Sequence, residues 1–142
     1  MSTSDRGILD TSTVVLLERI DDPRTLPPEP LITAVTLAEL SVGPLVAADS
    51  GERATRQLRL QQAEADFDPL PFDAAAARAF GRVAASLHRA GRKTSARSYD
   101  AMIAAVALAN DLPLFTCNPA DFEYIDGLDL RSVLHPDKTH DT

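Results

Sequence analysis

The chain has 142 residues, of which 44% are hydrophobic and 25% are charged, as expected for one soluble globular domain with its own core. The formal net charge of −7 disfavours nonspecific binding of nucleic acid over the whole surface. The only cysteine, Cys117, excludes an intramolecular disulfide and a cysteine-rich zinc site.

The beginning of the chain predicts a cytoplasmic protein. The first residues lead directly into a predicted strand at residues 7–10, which leaves no room for a secretory signal. The longest apolar run, residues 101–109, is less than half as long as a membrane-spanning helix. We therefore expect no association with a membrane.

Predicted strands and helices alternate along the chain. The strands are short apolar runs at residues 7–10, 31–35, 67–72, 112–116 and 128–133. The helices are predicted at residues 12–20, from 36 to a break or kink at Gly43-Pro44, and at 53–65, 73–91 and 97–110. This alternation predicts a three-layer α/β/α domain around a mostly parallel sheet of four or five strands. We expect one domain over residues 1–142, with a core at about 8–133 and a polar tail at 135–142.

The helix predicted at residues 97–110 is apolar nearly all round, with Met102, Ile103 and Val106 spaced by alanines. Such a helix is expected to be buried rather than amphipathic. An acid, Asp100, nevertheless lies in its first turn. A carboxylate at the start of a buried helix requires a specific reason.

Four acids lie near predicted junctions, and each has a structural explanation. Asp10 ends a strand or caps the following helix, for which Ser12 is another cap. Glu39 fits a capping box that begins at Thr36. Asp100 is favoured by the helix dipole, and the short segment Asn118-Pro119-Ala120-Asp121 repeats the pattern of a cap followed by an acid.

Together, the four acids indicate a shared site. In an open parallel sheet, ligands bind in the crevice beyond the carboxyl ends of the strands, and Asp10, Glu39 and Asp121 each follow a predicted strand. Crowded carboxylates repel one another, and a divalent cation relieves that repulsion. Oxygen ligands favour Mg²⁺ or Mn²⁺. The histidines lie elsewhere, at His88, His135 and His140, which disfavours zinc.

A basic segment leads into this predicted site. No acid lies between Asp73 and Asp100, whereas Arg78, Arg82, Arg89, Arg92, Lys93 and Arg97 all lie there. Both a solvated helix face and a strip that binds phosphates fit this pattern. A carboxylate-held Mg²⁺ beside a basic strip suits phosphodiester hydrolysis, because the metal activates water and the cations hold the nucleic-acid backbone.

Four segments resemble, in order and spacing, the motifs of PIN-domain nucleases. They are Asp10-Thr-Ser, Thr36-Leu-Ala-Glu39-Leu, Tyr99-Asp100-Ala-Met-Ile-Ala-Ala, and Thr116-Cys-Asn-Pro-Ala-Asp121-Phe. The small size and the motif details are similar to those of VapC toxins of type II toxin–antitoxin pairs. The resemblance implies a Mg²⁺-dependent endoribonuclease, a homodimer, and neutralisation by a VapB antitoxin whose tail occupies the active site.

The resemblance also implies the roles of individual residues. Asp10, Glu39, Asp100 and Asp121 correspond to the acidic quartet, while Ser12 and Asn118 correspond to supporting polar positions. Asp10 and Asp100 would bind the metal most directly; Glu39 would complete the metal shell or orient water, and Asp121 would support the metal or a second ion. Arg89, Arg92, Lys93 and Arg97 would guide RNA into the crevice. Cys117 departs from the family, in which arginine is frequent at this position.

Other chemistries fit the sequence less well. A phosphoacceptor domain needs a lysine near the acids, and neither Lys93 nor Lys138 is placed for that role. The chain also lacks a phosphate-binding glycine loop and a nucleophile elbow. The thiol of Cys117 is better explained as a buried residue at a strand end than as a nucleophile. A catalytically silent module that binds RNA or a partner protein remains an alternative.

Overall fold

The computed structural model of the protein describes residues 5–137. Most of the predicted polar tail, including Lys138 and His140, lies outside the described residues. Within the described part, the strands are β1 (Arg6–Leu9), β2 (Glu29–Leu31), β3 (Leu114–Thr116) and β4 (Leu130–Ser132). Their order in the sheet is β2-β1-β3-β4, and all three pairings are parallel. The predicted α/β fold with a mostly parallel sheet is therefore confirmed.

Five α-helices of the described part of the chain surround this sheet: α1 (Thr11–Leu16), α2 (Ala34–Leu45), α3 (Ser50–Asp66), α4 (Ala74–Arg89) and α5 (Ser98–Ala109). Short 3₁₀ turns follow α1 at Leu17–Arg19, precede α5 at Thr94–Arg97, and occur at Pro23–Thr25 and Pro119–Asp121. Over residues 5–137, the helices lack the combination of length and apolar character that crossing a membrane requires. Asp73 caps α4 as predicted, since its carboxylate accepts a 3.0 Å hydrogen bond from the backbone N–H of Ala76.

The two faces of the sheet build two parts of the core, because neighbouring side chains on a strand point in opposite directions. Ile8 of β1 and Leu114 of β3 pack in one cluster with residues of α4 and α5. Leu9 and Phe115, the next residues along each strand, pack in a second cluster with residues of α1 and α3. The sheet thus forms the middle of three layers.

Helix α5 is buried, as its all-round apolar sequence predicts. Five consecutive residues from Ile103 to Ala107 have no exposed surface. The small alanines allow α4 and the sheet to approach α5 closely, while Ile103 and Val106 fill the remaining space. This packing fixes the start of α5, and therefore Asp100, relative to the strands.

Two predicted strands differ from those observed. The strand predicted at 31–35 lies earlier, at Glu29–Leu31, because the side chain of Thr33 accepts a 3.2 Å hydrogen bond from the Thr36 N–H and begins α2. Pro30 is tolerated in β2 because this strand lies at the sheet edge.

The strand predicted at 67–72 is wrong: only a bridge between Leu70 and Thr33 forms. Prolines on both sides of Leu70 remove the N–H groups that a longer ladder needs.

Three further helix signals can be compared with the structure. Of the two predicted caps of α1, Asp10 is confirmed and Ser12 is wrong. Gly43-Pro44 does not break α2, which continues to Leu45; Pro44 falls in the last turn, where few further backbone bonds depend on it. Asn118 precedes a 3₁₀ turn but makes no side-chain cap bond.

Candidate active site

Asp10 lies directly beyond β1 at the N-cap of α1 and is only 2% exposed. One carboxylate oxygen, Oδ1, accepts hydrogen bonds from the backbone N–H of Thr13 (3.2 Å) and from the Thr13 hydroxyl. The other, Oδ2, accepts from Ser12 Oγ at 2.8 Å and from Thr116 Oγ1 at 2.9 Å. Capping uses only the first of these oxygens. The second is held by hydroxyls from two different segments, which fix the carboxylate in position.

The hydroxyl of Thr116 connects Asp10 to the end of β3. Thr116 Oγ1 donates to Asp10 and accepts a 2.9 Å hydrogen bond from the Asn118 N–H. The side-chain amide of Asn118 in turn donates to Ser12 Oγ at 3.1 Å. The structure therefore brings the two predicted supporting residues, Ser12 and Asn118, into one network with Asp10.

Glu39 lies in the second turn of α2, since the helix begins after Thr33. The predicted capping box from Thr36 to Glu39 is therefore wrong, and that structural explanation of the acid no longer holds. Instead, Glu39 Oε1 accepts a 2.6 Å hydrogen bond from Thr11 Oγ1, which lies 3.0 Å from Thr36 Oγ1. Because Thr11 has one hydroxyl proton, Thr36 donates to Thr11 when Thr11 donates to Glu39.

The surroundings of Glu39 oppose its ionisation. Burial raises the pKa of Glu39, the hydrogen bond from Thr11 lowers this pKa in part, and the charge of Asp10 raises it again. Charges on Asp10 and Glu39 therefore influence each other across the crevice between β1 and α2.

Asp100 lies in the first turn of α5 and is half-buried. The pKa of Asp100 is raised to about 7, first by burial and then by the charges of Asp121, Asp10 and Glu39 in that order. The guanidinium of Arg97 acts in the opposite direction. The four predicted acids thus share one electrostatic environment although they come from four separate parts of the chain.

Asp121 is paired with Arg97. Arg97 NH1 donates a 2.6 Å hydrogen bond to Asp121 Oδ1, and the two side chains are 35% and 36% exposed. Arg97 also lines a cavity of about 360 Å³ together with Glu39, Tyr99 and Asp100. The predicted RNA-binding residue Arg97 therefore belongs to the acid cluster, where it offsets part of the negative charge.

The other predicted RNA-binding residues are not brought to the acids. Arg89 donates a 2.6 Å hydrogen bond to Asp126 Oδ2, and the guanidinium carbon of Arg92 lies 4.3 Å from the centroid of the Tyr124 ring. Lys93 is exposed and precedes the 3₁₀ turn that carries Arg97. These three residues surround the C-terminal end of α4, and their binding of RNA stays a prediction.

The threonine hydroxyls of the site were not predicted as functional residues. Thr13, Thr36 and Thr116 are completely buried, and each makes a hydrogen bond within the site. The available signal was the presence of a threonine inside three of the four acidic motifs. Cys117 is buried at the end of β3 with 2% exposure, which confirms its interpretation as a strand-end thiol.

The donor chemistry of the cluster fits a hard divalent cation. Its candidate ligands are carboxylates, and they carry a charge conflict that a cation relieves. Within residues 5–137, however, no three histidine, cysteine, aspartate or glutamate side chains are already close enough together to hold a metal ion. Asp121 is directed at Arg97 and Glu39 at Thr11. Each of these pairings uses one oxygen of the carboxylate, which leaves the other oxygen as the candidate ligand for a cation.

Comparison with known proteins identifies close relatives. The profile of the PIN domain matches residues 8–128. The chain is 41% identical over 128 residues to Ribonuclease VapC5 of Mycobacterium tuberculosis, covering 89% of this chain and 92% of that protein. Ribonuclease VapC8 of the same species is 34% identical over 101 residues, which cover 71% of this chain and 89% of VapC8.

The fold matches a solved toxin–antitoxin structure. The crystal structure of VapBC-5 from Mycobacterium tuberculosis, a member of the VapBC family of toxin–antitoxin systems, superposes with a TM-score of 0.77 and 38% sequence identity. The match covers 91% of this chain and 98% of the matched chain.

Proposed function

The chain belongs to the PIN-domain family, and from this premise we propose that it is an endoribonuclease and the toxin of a type II toxin–antitoxin pair. The proposed reaction is hydrolysis of RNA phosphodiester bonds by water. The observation that carries the proposal is the convergence of Asp10, Glu39, Asp100 and Asp121 on one crevice, where burial and then the charges of the other three acids raise the pKa of Asp100. A protein without a cationic ligand would gain no stability from this crowding.

We propose Mg²⁺ as the cofactor, with Mn²⁺ as a replacement. Asp10 and Asp100 would hold the ion most directly, Glu39 would complete its shell or orient water, and Asp121 would support the same ion or a second one. Once bound, the ion would lower the pKa of water and stabilise negative charge on the phosphate. The four hydrogen bonds to Asp10 suit a ligand that must be ionised and fixed before the ion arrives.

The remaining site residues would position these groups. Ser12 donates a hydrogen bond to Oδ2 of Asp10, and Asn118 donates one to Ser12, so that both would hold this oxygen in place. Arg97 would neutralise charge near Asp121 and Asp100, and would contact the RNA phosphate when it leaves Asp121. Arg89, Arg92 and Lys93 would attract RNA over a longer range.

We also propose a VapB-type antitoxin as the partner, a homodimer as the assembly, and the cytoplasm as the location. The matched structure from Mycobacterium tuberculosis is described as a member of a toxin–antitoxin family, which supports an antitoxin partner for this chain. A negatively charged crevice favours an antitoxin tail that carries a cationic side chain.

RNA cleavage with and without EDTA tests the proposal. We expect cleavage of single-stranded RNA in Mg²⁺, loss of cleavage in EDTA, and recovery when Mg²⁺ or Mn²⁺ is added in excess. RNA binding without cleavage under all of these conditions would instead support the silent binding module. Cleavage that persists in EDTA would exclude the proposed metal dependence.

A further inference from the structure

Two cavities border Glu39 of the acid cluster. One, of about 360 Å³, is lined by Tyr99, Asp100 and Glu39 at the start of α5. The other, of about 180 Å³, is lined by Glu39, Thr11 and residues of α3. Because Glu39 borders both cavities, a chain-like ligand that passes over the acids reaches each of them.

Arg59 supplies a positive charge in the second cavity. Its half-buried side chain borders the same space as Glu39 and Thr11. The hydrogen bonds and ion pairs found within residues 5–137 do not include Arg59. Arg56, which also borders this cavity, is already used: it donates a 2.9 Å hydrogen bond to the Gly43 carbonyl and pairs with Glu52. Arg59 is therefore the arginine of this cavity whose donors are available to an external anion.

Tyr99 supplies an aromatic surface in the first cavity. The side chain of Tyr99 is 41% exposed, and Tyr99 immediately precedes Asp100 in the sequence. Tyr124 is similarly exposed at 40%, but the guanidinium of Arg92 lies over its ring. An exposed aromatic ring beside a site for phosphodiester chemistry is suited to stacking on an unpaired base.

We propose that a single RNA strand crosses the acid cluster between these two residues, with Tyr99 stacking on an unpaired base and Arg59 binding a backbone phosphate. This inference rests on the proposed ribonuclease function and defines where its substrate lies. Tyr99 and Arg59 are positioning residues, and the two cavities that they line share Glu39. Their separate contacts, one aromatic and one ionic, predict different experimental signatures.

The charges beyond Arg59 limit the path. The second cavity continues past Arg59 and Val15 into a space of about 220 Å³ between α1 and α3. Glu18 and Asp66 border that space and repel phosphate. We therefore expect the RNA strand to leave the protein surface near Arg59 rather than to follow α3 further.

Binding of a fluorescent single-stranded RNA oligonucleotide in EDTA, where cleavage is prevented, tests the ionic contact. Arg59→Gln is expected to weaken binding about fivefold and to reduce the salt dependence by about 0.7 in log–log slope, the value for one phosphate contact on a single strand. Arg53→Gln is the matched control, because Arg53 is an exposed arginine on α3 that borders a different cavity. Equal effects of the two substitutions would overturn the role of Arg59.

The same assay tests the stacking contact. Tyr99→Ala is expected to weaken binding about tenfold with no change in the salt slope, because stacking on an aromatic ring releases no counterions. Tyr99→Phe is expected to bind as the wild type does, and Tyr124→Ala is the matched control for loss of an exposed tyrosine. Binding by Tyr99→Ala at the strength of Tyr124→Ala would overturn the role of Tyr99.

Steady-state cleavage in Mg²⁺ separates this inference from the proposed function. Arg59→Gln and Tyr99→Ala are expected to raise KM and to change kcat less than about threefold, as for loss of uniform binding. Normal RNA binding and KM in both variants would overturn the path and assign the cavities to a protein partner. Cleavage by Asp10→Asn at the wild-type rate would contradict the proposed site itself, whatever the two variants show.

Discussion

The guanidinium of Arg97 donates a 2.6 Å hydrogen bond to the carboxylate of Asp121, at the edge of the acid cluster. The same guanidinium lowers the pKa of Asp100, against the effects of burial and of the other three acids. Arg97 therefore occupies the place of a cation in the structure. A metal ion that uses Asp121 as a ligand would share this carboxylate with Arg97, which contacts Oδ1.

Removing the charge of Arg97 tests this electrostatic arrangement. In the metal-free protein, Arg97→Gln is expected to raise the pKa of Asp100 above about 7, because the positive charge that lowers this pKa is lost. Arg97→Lys keeps the charge and should shift the pKa less. Carbon-13 NMR titration of the Asp100 carboxyl measures the change. A pKa that is unchanged or lower in Arg97→Gln would show that the two groups are not coupled.

The pKa of Asp100 predicts how the stability of the metal-free protein depends on pH. The folded-state pKa of about 7 lies above the ordinary value of 3.8, so the folded protein binds this proton more tightly than the unfolded chain. The resulting stability is complete below the ordinary value and is lost as pH rises through the folded-state pKa. The slope from this group is at most about 1.4 kcal/mol per pH unit.

Urea denaturation in EDTA between pH 4.5 and 8 measures this slope, which reflects a difference of roughly one bound proton between the folded and unfolded states. Asp100→Asn should flatten the pH dependence, because the amide does not titrate. The control is Asp68→Asn, in which the substituted aspartate is exposed and lies outside the cluster. The raised pKa would be contradicted if the free energy of unfolding of the wild type and that of Asp100→Asn changed with pH in the same way over this range.

Local sequence signals predicted those elements whose burial is unambiguous. The all-round apolar character of α5 predicted its burial, and Asp10 was correctly placed at the end of β1. The start of α2 was mispredicted because Thr33 and Thr36 are both good caps. The choice between them depends on Leu70, whose carbonyl accepts a 2.8 Å hydrogen bond from the Ala34 N–H.

The site was predictable only in part. The crevice argument placed Asp10, Glu39 and Asp121 near strand ends, but it did not predict which groups hold them. The hydroxyl of Thr116 that binds Asp10 is 106 residues away in sequence. The hydrogen bond from Thr116 to Asp10 depends on the pairing of β1 with β3 and on the direction that the chain takes after β3. Neither property can be read from the motif itself.

Thr116 provides a test of how Asp10 is held. Thr116→Val removes the hydroxyl that donates to Asp10 and leaves the partly buried N–H of Asn118 without its acceptor. We expect a loss of about 1–3 kcal/mol in the free energy of unfolding, together with reduced RNA cleavage. Thr116→Ser keeps the hydroxyl and is expected to retain most of both properties. Urea denaturation and cleavage assays provide the measurements. Equal stability and equal cleavage in Thr116→Val and Thr116→Ser would contradict this role of the hydroxyl.

Binding of a divalent ion is expected to stabilise the fold. Mg²⁺ or Mn²⁺ should raise the Tm of the wild type, and the increase should be larger at pH 8 than at pH 6 because Asp100 is then ionised. The Tm of Asp10→Asn should respond much less, although asparagine preserves the N-cap of α1. Differential scanning calorimetry provides the measurement. Equal shifts in the two proteins would place the ion elsewhere.

The most direct test of the acid cluster as a nuclease site is single-turnover cleavage of a labelled single-stranded RNA in Mg²⁺ by the wild type, Asp10→Asn and Asp100→Asn. We expect each substitution to slow cleavage at least about 100-fold, because the loss of one charged ligand removes several kcal/mol of transition-state stabilisation. Circular dichroism should show that both variants remain folded. Wild-type cleavage rates in both folded variants would contradict the assignment of this site.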